Sequence, residues 1–581
     1  MSTVQTAGGT AAATAEPGRG GRLLRLLPAV AWSVACWPLL RHGLTSGHDL
    51  GLELVRVAEY RAAWAAPACP PAWADNLYGG YGSPIFLFYA PLFLAAAAGL
   101  SRLTGSIFAG TSAALLALTA LSALAIGGAA RLLAAAAGPA AARAASRVAV
   151  YAFLLSPYLL SDKYLRNANA EFAALCLAPV VFAGLLMRRR GPRTLALSAG
   201  LALVILAHNL TALVVFALAL GAAAVLDPPA AGGAGSAVRR LAATAGGLTL
   251  GLALAAFFWL PALALKPWMR TEDLLTGRFD FHTRFPTFRE LAGYGTFFSA
   301  GPLVLLIPVA AAAVLLWRPP ADRRLRRAGW GLVAAAILCL LMMVPASTPV
   351  WETVPFLPLF QFPWRWVGPL ALVSSLLAAV VFARLASAAR PALRQAAEAL
   401  IFLLCAANAL PALTAVQPLP AAQRAELQTM LAPERLRLGA PATVGDEYLP
   451  RPATADLWRR SPAWQGPLLN PRRAAGVEVL GEDPGTIRLR VEAAEPTPVA
   501  LRRWFFPGWS AVRGEEDLEV GPGPGGALTV VAPAGAGLIE VRYLGPAVRR
   551  WSGRLSLAAL AVWVLLLLRA LRGGSTYRAA R

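Results

Sequence analysis

Two carboxylates four residues apart, Asp49 and Glu53, stand in the segment SGHDLGLE (46–53), directly after the first long apolar run. On a helix that spacing puts both on one face. A carboxylate in that place serves either as a general base or as a ligand for a divalent cation such as Mg or Mn. The bland alternative is a solvated amphipathic helix with internal ion pairs, in which Arg56, Glu59 and Tyr60 continue the segment along the outer membrane surface. His48 adjoins Asp49, but His42, His208 and His282 make no HxH or HxxxH spacing with it, so zinc is not expected.

A second polar group, SDKYLRNANAE (161–171), packs Asp162, Lys163, Arg166 and Glu171 into eleven residues at the end of an apolar run. Lys163 and Arg166 either clamp a phosphate or snorkel to lipid headgroups. A third group, LPLFQFPWRW (357–366), sets Arg365 between Trp364 and Trp366. It reads as an interfacial aromatic belt or as a guanidinium that neutralises a phosphate leaving group. His208 with Asn209, and Lys266 after Trp259 and Pro261, fall at the same face.

The elements that must position these groups are membrane helices. Of 581 residues, 57% are hydrophobic and 14% charged, against about 25% charged in soluble domains; mean hydropathy is +0.57. Apolar stretches at 23–40, 107–130, 147–161, 171–187, 194–207, 210–226, 241–261, 296–317, 329–345, 367–386, 396–412 and 552–570 are expected to span. Pro84–Leu100 is read as re-entrant or juxtamembrane. With that choice the inner loops collect 24 arginines against Glu16, Asp227, Asp322 and Glu398, or +20 of the net +23. This is the positive-inside pattern, so the basic balance points to membrane lipids and not to nucleic acid.

Both termini are then cytoplasmic. The expected organisation is a disordered 1–22, a transmembrane domain over 23–412 with a first outer loop at 41–106, an extracytoplasmic domain over 413–550, a last helix at 551–571 and a basic tail at 572–581. From Val477 the third of these regions alternates polar and apolar residues between Gly/Pro turns, as an all-β sandwich does. The five cysteines are scattered, four of them in apolar runs, and build no disulfide or metal framework.

The segments GHDLGLELVRVAEY, NLYGGYGSPIFLFYAPL, YLRNANAEFAALCLAP, AHNLTAL, FFWLPAL, FQFPWRW, GDEYLP and FFPGW occur in the order of one family. Across about residues 40–510 the chain resembles the bacterial membrane proteins labelled 6-pyruvoyl-tetrahydropterin synthase-related, which are themselves similar to the GT-C superfamily of polytopic glycosyltransferases. The pterin label implies no pterin chemistry here, because no histidine cluster is present to carry it.

The resemblance implies a GT-C-like fold in a bacterial inner membrane. It implies transfer of a hexosyl or pentosyl group from a polyprenyl-phosphate donor to a glycan, lipid or protein acceptor of the envelope at the outer face. Asp49 stands where such enzymes place the base or metal ligand, Asp162 or Glu171 would be the second acid, and Arg365 with Lys163 or Arg166 would hold the carrier phosphate. The pattern departs at HD followed by Leu, where a DxD or DE pair would bind metal. A lipid-linked-sugar flippase or a non-catalytic envelope assembly protein is the alternative.

Overall fold

The computed structural model describes residues 22–226, 234–293, 297–437, 446–459, 466–469 and 476–578. Nearly all of the expected disordered N-terminus and the end of the basic tail lie outside these residues. The chain opens with α1 (Leu27–His42) and α2 (Leu50–Ala62), followed by α3 (Pro91–Thr104) and α4 (Ile107–Leu133). Helix α5 (Pro139–Leu154) bends by 47° into a segment that begins with α6 (Pro157–Ser161) and ends as a π turn over Asp162–Arg166. Then come α7 (Asn169–Leu186), α8 (Arg190–Ala207), α9 (Asn209–Leu226), α10 (Ala234–Leu254) and α11 (Ala256–Ala264). The helical part closes with α12 (Pro302–Trp317), α13 (Arg323–Leu341), α14 (Val367–Ala386), α15 (Pro391–Thr414) and α16 (Ala421–Met430), and after the strands α17 (Ala547–Arg578) ends the chain.

Among the described residues seven helices are long and apolar enough to cross a membrane, or ten if each bent pair is one span. The chain is an integral membrane protein. Two further expected spans, 23–40 and 296–317, fall on α1 and α12, each of 16 residues, against the roughly 20 that cross a bilayer squarely. Pro84–Leu100 is a 3-10 turn at Ile85–Leu87 followed by α3, of 14 residues.

Helices α7 and α14 form the centre, with 89% of each apolar window buried, while α17 is 6% buried and faces outward. Small residues let the central helices approach: a Cβ on Gly184 of α7 would meet the Leu197 amide of α8 at 2.9 Å. The 71° break between α10 and α11 frees the Ala253 carbonyl and the Phe257 amide. Ser556 of α17 answers both, donating to Ala253 at 3.0 Å and accepting from Phe257 at 2.9 Å, as apolar surroundings require.

Among the described residues after α15, strands begin at Val477; α16 and two short helices (Pro433–Leu436 and Ala455–Arg459) precede them. Eight antiparallel strands form two sheets: β1 (Val477–Asp483), β2 (Thr486–Ala493), β8 (Gly535–Tyr543), β4 (Trp509–Arg513) and β5 (Glu516–Leu518) in that spatial order, and β3 (Thr497–Trp504), β7 (Ala527–Ala532) and β6 (Val520–Pro522). This sandwich rests on the segment between α2 and α3. Tyr81 stacks on Trp504 with ring centroids 4.4 Å apart, the Trp504 amide donates to the Tyr81 carbonyl at 2.8 Å, and Asp75 accepts from the Gly485 amide at 2.8 Å. Trp73 packs against Trp509 and Tyr543. Phe506 and Trp509 of FFPGW are buried in this junction, where they serve packing.

Candidate active site

Helix α2 does not lie along a solvated surface as the bland alternative has it: nine of its 13 residues are buried. The two carboxylates at its start therefore part company. Glu53 is held inside by Arg56 at 2.7 Å and by the Tyr89 hydroxyl at 2.5 Å. Burial pushes its carboxyl up from the ordinary range in spite of Arg56. Asp49 is the N-cap residue yet makes no side-chain capping bond, although Asp is among the preferred capping residues. Its Oδ1 lies 2.7 Å from His48 Nδ1, and its side chain is 30% exposed.

What Asp49 faces is a cavity of about 1070 Å³. Of the residues singled out in the sequence, His48, Asp49, Arg166, His208, Lys266 and Arg365 line it. Glu53 stands behind its wall, reaching it only through Tyr89. Asp162 and Glu171 are buried beneath Arg166, which pairs with Asp162 and with Glu171 at 3.1 Å. Tyr158 completes this cluster by donating to Glu171 at 2.6 Å.

Lys163 corrects the expectation of a phosphate clamp. Its Nζ is buried against α1 and α4, 3.2 Å from the Ala35 carbonyl, 3.3 Å from Cys36 Sγ and 3.1 Å from Thr119 Oγ1. The π turn places Lys163 and Arg166 on different sides, so one faces the bundle and the other the cavity.

Arg365 enters from the turn that opens α14. Nη1 donates to the Phe360 carbonyl at 2.8 Å, and Nε lies 3.7 Å from Glu171. That Nε is buried and has no hydrogen-bond acceptor among the described residues. Lys266 lies 5.5 Å from the Phe356 ring centroid and has no carboxylate partner among the described residues.

Sequence reasoning missed Arg278, Arg284, Glu290, Glu447 and Tyr448, which also line the cavity. The GDEYLP segment carried a signal for Glu447 and Tyr448. Nothing in the spacing of the 266–293 segment pointed to its arginines. Five cations thus face three carboxylates. Of the latter, Glu290 is committed to a capping box with Thr287, and Glu447 stands in the field of Arg56.

Backbone conformation is unusual around the same cavity. Among the described residues, the non-glycine positions with positive φ are Tyr78, Asn167 (56°), Phe356 (69°), Gln361 (64°) and Asp446 (59°). Phe356 and Gln361 line the cavity, and Asn167 and Asp446 each adjoin a lining residue. Such conformations cost about 1–3 kcal/mol each and cluster at functional sites.

The opposite wall is apolar, built by Leu201 and Ile205 of α8, Leu213 and Phe216 of α9, Leu252 of α10 and Leu263 of α11. Leu213 and Leu263 are half exposed, so this wall opens toward the lipid side of the bundle. The cavity thus sets cations and the Asp49 carboxylate opposite an apolar wall between helices, an arrangement suited to an amphipathic anion. No group of three or more His, Cys, Asp or Glu able to hold a metal occurs among the described residues.

No family model and no curated protein matches the chain. Solved structures with a similar fold include arabinofuranosyltransferase AftD from Mycobacteria, at 17% identity over 67% of this chain and 26% of that one, with a TM-score of 0.41. The oligosaccharyltransferase of Archaeoglobus fulgidus is similar at 12% identity over 74% and 61% of the two chains, with a TM-score of 0.42. ArnT from Cupriavidus metallidurans is similar at 17% identity over 64% and 78%, with a TM-score of 0.33. The chain spans about a quarter of the AftD chain. These are likenesses of fold alone.

Proposed function

We propose that this chain is a GT-C-type membrane glycosyltransferase. It moves a sugar from a polyprenyl-phosphate donor to an envelope glycan, lipid or protein acceptor at the outer face of a bacterial inner membrane. The observation that carries this reading is the placing of an uncapped carboxylate, Asp49, on the same cavity as the Arg166 and Arg365 guanidiniums, opposite a wall of membrane helices. The apolar wall takes the prenyl chain and the guanidiniums take the phosphate.

In the transfer step Asp49 accepts the proton of the acceptor hydroxyl. The freed oxygen attacks the anomeric carbon, and the bond from that carbon to the phosphate oxygen breaks. Its electron pair leaves with the prenyl phosphate, and the developing charge is met by Arg365 and Arg166. Fixed cations in a water-poor site stabilise such charge without reorganising. His48, donating from Nδ1, holds the Asp49 carboxylate in place while the other oxygen works. Lys266 and Arg284 add positive potential along the rim.

The segment that precedes the β sandwich adds Glu447 and Tyr448 to the cavity wall. The reading is tested by offering the reconstituted protein a panel of polyprenyl-phosphate sugars. Sugar released onto an acceptor supports it. Donor carried across the bilayer with no transfer would make the chain a transporter, and donor neither bound nor moved would leave an assembly role.

A further inference from the structure

A second cleft, of about 580 Å³, lies at the other end of the bundle. Ala170 of α7 lines the first cavity and Leu186 of the same helix lines the second; at 1.5 Å per residue they stand roughly 24 Å apart along its axis. The two sites therefore face opposite leaflets. Four helix ends meet here, the C-termini of α4 and α7 and the N-termini of α8 and α13, so their dipoles largely cancel and side chains decide the charge.

Those side chains are Arg188 and Arg189 between α7 and α8, and Arg324 in the first turn of α13. Arg324 is partly used, donating to the Leu186 carbonyl at 3.0 Å. Arg188 and Arg189 are exposed and have no carboxylate partner among the described residues. Asp322, the acid of the cleft, is taken up as the cap of α13, accepting from the Leu325 amide at 2.7 Å.

The floor is apolar, formed by Leu132, Leu133, Leu186, Leu325 and Ala328. It does not end at the cleft. Leu132 continues into exposed Leu124 and Leu121 on α4, a stripe that runs up the outside of the bundle at helical spacing.

From these features we propose that the cleft binds an anionic phospholipid of the adjoining leaflet. Its phosphodiester sits between Arg188, Arg189 and Arg324, and an acyl chain lies along Leu132, Leu124 and Leu121. The charge of the rim selects the headgroup, and the continuity of the floor with the lipid-facing stripe selects a lipid over a soluble anion. The site is independent of the transfer reaction at the other end.

The test is native mass spectrometry of the full chain in mild detergent, titrated with phosphatidylglycerol, phosphatidylcholine or inorganic phosphate. Wild type is expected to retain one phosphatidylglycerol in clear preference to phosphatidylcholine. The double variant R188Q/R189Q is expected to lose that preference by roughly tenfold or more, at about 1 kcal/mol per arginine near a lipid surface. Ala328→Trp, which keeps the arginines and fills the floor, loses the lipid as well. The control R326Q/R327Q, on the same face but outside the cleft, keeps it. Equal retention of the two lipids by wild type, equal loss in the control, or displacement of the lipid by millimolar phosphate would each overturn the proposal.

Discussion

The Asp49 amide donates to the Arg166 carbonyl at 2.8 Å, and one residue earlier the His48 amide donates to the Leu165 carbonyl at 2.9 Å. Two residues 117 positions apart in the chain are thus joined by backbone, and the carboxylate and guanidinium that line the cavity inherit their spacing from that join.

Gly47 makes the join possible. A Cβ there would fall 1.8 Å from Asn167 Oδ1 and 2.7 Å from the Tyr164 carbonyl. Gly47→Ala must push the two strands of the join apart, an overpacking cost of about 1–3 kcal/mol. Transfer is expected to fall at least tenfold, with a melting temperature only a few degrees lower. Full transfer in this variant would show that the join does not set the geometry.

Arg365 should be the more demanding of the two guanidiniums, because its Nε has no other acceptor whereas Arg166 is already paired with two acids. A charge-assisted hydrogen bond is worth about 1.5–3 kcal/mol. Arg365→Gln is expected to lower kcat/KM for the donor by roughly tenfold to a hundredfold, with Arg365→Lys recovering part of it. Steady-state kinetics with varied donor checks this, and an unchanged kcat/KM would remove Arg365 from the phosphate site.

Lys163 should behave in the opposite way. The Ala35 carbonyl that it contacts also accepts from the Tyr164 hydroxyl at 2.7 Å, and Thr119 Oγ1 donates to Leu115 at 2.7 Å. Lys163→Met therefore orphans no buried acceptor and relieves a buried cation, which is often neutral or stabilising. Donor KM should stay unchanged and the melting temperature should hold or rise. A raised KM would return Lys163 to the donor site.

Glu59 of α2 gives stability a pH dependence. Burial pushes its carboxyl up to about 7, outweighing the bonds from Asn76. The fold thus favours the protonated form. Below about pH 4.5 that form is shared by both states; as pH rises toward 7 only the unfolded chain ionises, and stability falls by about 3 kcal/mol before levelling off. Glu59→Gln should flatten this part of the curve. Melting temperatures at pH 5 and pH 8, read as the difference between wild type and variant, check it; equal slopes would contradict it.

Much of the fold was legible in the chain because membrane helices and half-buried strands each leave a strong periodic mark. All the strands but β4 lay in alternating segments. WSAVR (509–513) hid behind a run of aromatics, and DLEV divided into β5 and β6 because Glu519 falls between them. The start of the strands at Val477 was legible in the alternation, whereas α16 before them was not, since it is amphipathic and short.

At the site, residue types announced themselves through their cost in an apolar environment, so Asp49, Arg166 and Arg365 could be found. Direction could not: a π turn swings Lys163 from one side to the other, and Glu53 turns inward because α2 is roofed by the loop carrying Tyr89. Arg278 and Arg284 sit in a segment between membrane helices where arginine is inexpensive, and only the tertiary fold brings them over the cavity.

The role of Asp49 is tested most directly by comparing wild type with Asp49→Asn for sugar transfer from a polyprenyl-phosphate donor in reconstituted vesicles, with donor binding measured in parallel. The substitution keeps the shape and the backbone join and removes the basic oxygen. Donor binding is expected to persist while transfer falls by a factor of about 100 or more, within the range that general-base catalysis supplies. Transfer at the wild-type rate by Asp49→Asn would contradict that role.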